Sequence, residues 1–99
     1  MELFQLSKAA KDDLRMIAQF TEKRWGKIQR NLYIKQFDEI FRLLGDNIEA
    51  GVSCNYIRKD YRKFPHNSHV IYYKEGVASH ILVVRILHKS MDVNSHTNL

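Results

Sequence analysis

The side chains able to do chemistry crowd into the second half of the 99-residue chain. His88 follows directly on an apolar run that holds Arg85. An imidazole beside guanidinium groups is the minimum equipment for cleaving RNA through its 2′-hydroxyl, one group acting as general base and the other steadying phosphate charge. Alternation along Ser79–Leu87 puts Arg85 on one face with Ile81, Val83 and Leu87. A guanidinium fits there only if an anion, another chain or a carboxylate at the sheet edge meets it. Upstream, Arg58, Lys59, Arg62 and Lys63 alternate with Tyr56, Tyr61 and Phe64. That mixture suits phosphate neutralisation with base stacking, and equally suits the solvated face of a strand whose other face is buried. His66 and His69 are separated by two residues, but no cysteine and no third close histidine joins them, so no metal site is expected. His80 reads as a satisfied sheet histidine on the strand face opposite Arg85, and Asp12 and Asp13 read as solvated helix carboxylates. No Ser-His-Asp set, glycine-rich phosphate loop or close carboxylate pair occurs in this half.

Around these residues the composition is that of one folded domain spanning 1–99, with 44% hydrophobic and 11% aromatic residues. The formal charge is +5, and the excess lies in the second half: nine basic and eight acidic residues fall in 1–50, seven and three in 51–99. A single cysteine, Cys54, excludes an internal disulfide and favours a reducing cytoplasm. The opening residues 1–6 carry no basic n-region or long apolar run, and no stretch is long enough to span a membrane, so a soluble protein that stays in the cytoplasm is expected.

Two helices must hold the first half together. Ala10, Leu14, Ile17, Ala18, Thr21 and Trp25 recur at steps of three and four, with Ser7 placed as cap and Lys23 and Arg24 at the favoured end of the dipole. Gly26 stops this helix, and a second stripe follows at once through Ile28, Leu32, Phe37, Ile40, Phe41 and Leu44, ended by Gly45. So short a link makes the two antiparallel neighbours. Beyond Asp46 the period changes to two: Tyr56–Lys59 and Arg62–Phe64 read as one strand or two, and Ser68–Lys74 and Ser79–Leu87 as a hairpin through Glu75-Gly76. Glu2–Leu6 is a further strand, and Ser95–Leu99 a polar, frayed end. The expected class is α+β: an N-terminal strand and an αα-hairpin packed on one face of an antiparallel sheet of about three to four strands.

Leu6-Ser7 with Ala10 and Asp13-Leu14, then Ile17, Trp25-Gly26, Arg62 with Phe64-Pro65, His69-Val70-Ile71-Tyr72-Tyr73, and Arg85-Ile86-Leu87-His88 with Met91-Asp92 together resemble the ParE toxins of the RelE/ParE superfamily, over residues 3–93. Departures are Ile48, where the family commonly has a proline, and Lys59-Asp60-Tyr61, where a proline-glycine-leucine stretch is frequent. The resemblance implies a bacterial toxin that poisons DNA gyrase at its cleaved-DNA intermediate, is neutralised by a ParD-type antitoxin, and needs no cofactor, metal, membrane or small-molecule substrate. It implies target contacts at Arg62, Lys63, Arg85, His88, Met91 and Asp92, with Met91 as core and Asp92 as an anchor for Arg85 the alternatives. Antitoxin contacts fall at Leu14, Trp25, Tyr33 and Phe37. RelE-type messenger-RNA nucleases share the fold, and under that reading Arg62, Arg85 and His88 are catalytic.

Overall fold

A computed structural model describes residues 1–91. The elements run β1 (Glu2–Leu6), α1 (Lys8–Trp25), α2 (Lys27–Asp46), a short 3-10 turn (Ile48–Ala50), β2 (Val52–Ser53), β3 (Arg62–His66), β4 (His69–Glu75) and β5 (Ser79–His88). The α+β class and the helical hairpin are as expected. The sheet is larger and mixed, with five strands in the order β1-β5-β4-β3-β2. β1 runs parallel to β5, through Phe4 opposite Ile81 and Leu6 opposite Val83, while the other pairs are antiparallel. A parallel neighbour needs a long crossover, and the helical hairpin is part of it.

Ser7 joins β1 to α1 and serves both. Its hydroxyl accepts from the Ala10 N–H at 3.0 Å and donates to the Val84 carbonyl at 2.7 Å, and its own N–H donates to the Val83 carbonyl at 2.9 Å. Gly26 alone separates the helices, at φ 94° and ψ 173°, a backbone region open almost only to glycine. Gly45, expected to end α2, lies inside it. Its missing side chain is what lets β1 cross closely, because a Cβ would run into the Leu3 carbonyl.

The main core lies between the helices and one face of the sheet, where Ala10, Ile17, Phe37, Phe41 and Leu44 meet Ile71, Tyr73, Ile81, Val83 and Ile86. The opposite face is covered as well. Residues 54–61, expected in part as a strand, form a knot of turns held by Cys54 N–H to Tyr61 carbonyl (2.8 Å) and Asp60 N–H to the Asn55 side chain (2.7 Å). Asp60 takes φ 65° there. Cys54 and Tyr61 from this knot pack on Tyr72, Val84 and Leu87.

The two apolar sides of β5 are set by an irregularity. Tyr72 stands opposite Arg85 but Tyr73 opposite Val83, so Val84 is an extra residue in the ladder. The bulge resets the alternation. Ile81 and Val83 face the helices, and after the bulge it is Ile86 that does so, while Leu87 joins the other face. The expected grouping of Arg85 with Ile81, Val83 and Leu87 is therefore replaced.

Candidate functional site: a groove between the helical hairpin and the end of the sheet

The helix stripes are longer than the sheet that covers them. Phe37, Phe41 and Leu44 are buried, whereas Trp25, Ile28 and Leu32, toward the Gly26 end, are exposed. Met16 and Phe20 widen the exposed apolar surface of α1. Between them, the α2 residues Gln29 and Tyr33, the β3–β4 turn and the end of β5 lies an open groove of about 800 Å³, closed at one side by His69, His88 and Met91. Met16 and Phe20 adjoin Ile17 and Thr21 in sequence, so a wider apolar arc was the available signal for them.

The sheet side of this groove is a nest of rings. Tyr33 stacks on His66 at 5.4 Å between centroids, and its hydroxyl bonds His69 Nδ1 at 2.9 Å. His69 meets His88 edge-on at 5.5 Å, and Phe37 backs His66 and His69. Burial pushes His66 and His69 below the ordinary histidine range; for His69 the neighbouring His88 and His66 act the same way, against a smaller opposing pull from Asp13. His88 Nδ1 accepts from the Ser90 N–H at 3.1 Å, which leaves Nε2 as the protonated nitrogen of the neutral ring. His80 is satisfied, its Nδ1 lying 3.0 Å from the Gly45 carbonyl.

The residues expected to contact a target do not converge. Arg62 donates to the Gly51 carbonyl at 2.9 Å. Lys63 lies opposite Tyr72 on the sheet face away from the helices and donates to the Tyr56 hydroxyl at 2.8 Å. His88 and Met91 border the groove, and Asp92 lies outside the described residues. Arg85 is met by the carboxylate that one reading of the sequence called for, and that carboxylate is Asp13. Arg85 Nε and Nη2 donate to its two oxygens at 2.8 and 3.0 Å, and the Ile86 N–H donates to the same group at 2.9 Å. The solvated reading of Asp13 is corrected: it closes the edge of β5 past the end of β1, where a backbone donor would otherwise point away from the sheet.

Among the expected antitoxin contacts, Trp25 and Tyr33 line the groove and Leu14 packs partly buried against the main core. Phe37 is fully buried, so it supports Tyr33 from beneath and offers a partner no surface.

No helix among the described residues is long and apolar enough to cross a membrane. A family model described as the ParE toxin of the type II toxin–antitoxin system parDE matches residues 4–93. The chain is 31% identical over 96 residues to "Toxin ParE1" of Caulobacter vibrioides, covering 97% of this chain and 98% of that one. It is 35% identical over 91 residues to "Toxin ParE1" of Mycobacterium tuberculosis, covering 92% and 93%. A solved structure titled "Chromosomal ParDE TA system from P. aeruginosa" superposes with a TM-score of 0.73 over 89% of this chain and 96% of its own, and its 14% identity makes this a likeness of fold. With nearly the whole length matched at this identity, the chain belongs to the ParE toxin family of type II toxin–antitoxin systems.

Proposed function

We propose that this toxin arrests growth by binding DNA gyrase and holding its cleaved-DNA intermediate, and that a ParD-type antitoxin neutralises it by laying a segment into the groove of α1 and α2. Family membership is the observation that carries the reading. The groove adds a physical reason for the antitoxin part. It is open, apolar along Met16, Phe20 and Trp25, and edged by Gln29 and Asn67, which suits an amphipathic helix with its apolar face inward. A segment that orders on contact covers much of a small domain, and acidic residues on it speed encounter with a +5 chain.

The toxin acts by differential affinity and performs no bond chemistry of its own. A ligand that prefers the cleaved state of gyrase to the resealed state shifts that equilibrium by the difference in binding free energy. The nuclease alternative is weakened by the use to which its residues are put: Arg85 is engaged by Asp13, Arg62 by the Gly51 carbonyl, and His88 by Ser90. The test is purified gyrase with supercoiled DNA. Protein-linked linear DNA should accumulate when the toxin is added, and disappear when antitoxin is added first. Cleavage of messenger RNA on ribosomes without gyrase trapping would replace this reading with the nuclease.

A further inference from the structure

The groove uses one side of the molecule and leaves the other unassigned. On that other side the knot of residues 54–61 presents Tyr56, Arg58 and Lys59 outward, beside Lys63 of β3 and Lys74 of β4. Lys63 and Lys74 share this face, Arg58 and Lys59 are exposed on the adjoining knot, whose one carboxylate is Asp60, and Glu75, opposite Ile81, belongs to the helix side of the sheet. Lys63 and Lys74 are diagonal neighbours, since Lys63 stands opposite Tyr72, two residues from Lys74, a spacing of about 7–8 Å between backbone positions that long side chains span.

Two of the cations stand beside tyrosine rings. Lys63 Nζ donates to the Tyr56 hydroxyl and sits 5.6 Å from that ring's centre, and Lys74 Nζ is likewise 5.6 Å from the centre of Tyr61. Tyr56 is 73% exposed, a large cost in unburied ring surface on a loop whose backbone is otherwise tied down. Ammonium groups held beside an exposed phenol combine phosphate neutralisation with a hydroxyl that can donate to a further phosphate oxygen.

From this arrangement we infer that the sheet face built on Tyr56, Lys59, Lys63 and Lys74 is a contact surface for the sugar-phosphate backbone of duplex DNA. The choice of DNA among nucleic acids rests on the gyrase reading, because the DNA held by gyrase is then the polyanion beside the bound toxin. The face lies on the opposite side of the sheet from the groove, so the two partners are recognised by separate surfaces.

The experiment uses the full chain and a short fluorescein-labelled DNA duplex, with anisotropy read across a salt series. Each phosphate neutralised contributes about −0.9 to the slope of log K against log salt. Lys59→Gln, Lys63→Gln and Lys74→Gln should each reduce the slope by about one and weaken binding roughly fivefold to tenfold near about 0.1 M salt, independent of duplex sequence. Tyr56→Ala should weaken binding as well. Antitoxin binding, which reports folding and the groove, should be unchanged in all four.

No measurable duplex binding, an unchanged slope in the lysine variants, equal competition by polyglutamate, or clear preference for single-stranded RNA would each overturn the inference. In the gyrase assay the triple lysine variant should trap far less cleaved DNA than the wild type. Trapping equal to wild type would overturn the surface and leave the gyrase reading standing. Failure of the wild type to trap, with the lysine-dependent slope intact, would remove the gyrase reading and leave the surface.

Discussion

Asp13→Ala removes the one acceptor that ties α1 to the bulged end of β5. The carboxylate takes three hydrogen bonds, two from Arg85 and one from the Ile86 N–H, at 2.8–3.0 Å. Its side chain is 12% exposed and that of Arg85 19%, so removing one partner strands the other away from most of its water. Each bond to a charged group contributes about 1.5–3 kcal/mol; sharing one carboxylate makes them less than additive, and a loss of about 3 kcal/mol is expected. Against a total stability of about 5–15 kcal/mol this is a large fraction, and at about 4–8 °C per kcal/mol the melting temperature should fall by about 12–24 °C. Arg85→Met should cost less, because the bond from Ile86 to Asp13 survives. Urea unfolding followed by circular dichroism, for both variants and the double variant, reads the coupling directly, and about 1–2 kcal/mol is expected. An Asp13→Ala change below about 0.5 kcal/mol, or strict additivity, would refute the account and return Asp13 to the solvent. Any loss of toxicity in Arg85 variants must be read beside this fold effect.

Gly45→Ala should destabilise the protein by about 1–3 kcal/mol in urea despite a gain of about 1 kcal/mol in helix propensity, because the new methyl displaces the Leu3 carbonyl and β1. His66 and His69 titrate below their unfolded value of about 6.5. The unfolded chain therefore binds protons first, and the stability these rings contribute is complete above that value and lost as pH falls through it toward the lower folded values. The urea midpoint should drop between about pH 7.5 and about pH 5.5, and His69→Gln should flatten the drop. Trp25, the only tryptophan, is 65% exposed at the groove, so its emission should shift to the blue when antitoxin docks; an unchanged spectrum on tight binding would place the antitoxin elsewhere.

Both helices were legible because their apolar stripes keep one period over four or more turns, and the hairpin of β4 and β5 because β-branched residues alternate there. The bulge was not. Residues 81–87 are apolar apart from Arg85, so no polar residue marks which side of β5 faces out, and either register satisfies the pattern. Residues 56–59 have strand-like composition, yet the backbone turns there because Cys54 and Asn55 capture its N–H groups, including that of Asp60. Gly45 carried a helix-stop signal and answers instead to a crossing strand from the other end of the fold. At the site, Trp25 and Tyr33 were legible as apolar positions on the helices. The pairing of Asp13 with Arg85 spans 72 residues, and no local pattern records a partner at that distance.

The parallel seam between β1 and β5 also governs when this molecule can exist. Among the described residues β1 has no neighbour in the sheet other than β5, and Ser7 bonds Val84 across 77 positions of sequence. Closing so long a loop costs entropy before any of its hydrogen bonds form, whereas the hairpin of α1 and α2 needs only local contacts. On the ribosome the helices can assemble early, but the sheet that completes the core must wait for β5 to emerge. A chain interrupted before Ser79 leaves β1 without a partner and the buried row of Ile81, Val83 and Ile86 unmade, so truncated synthesis yields no folded toxin.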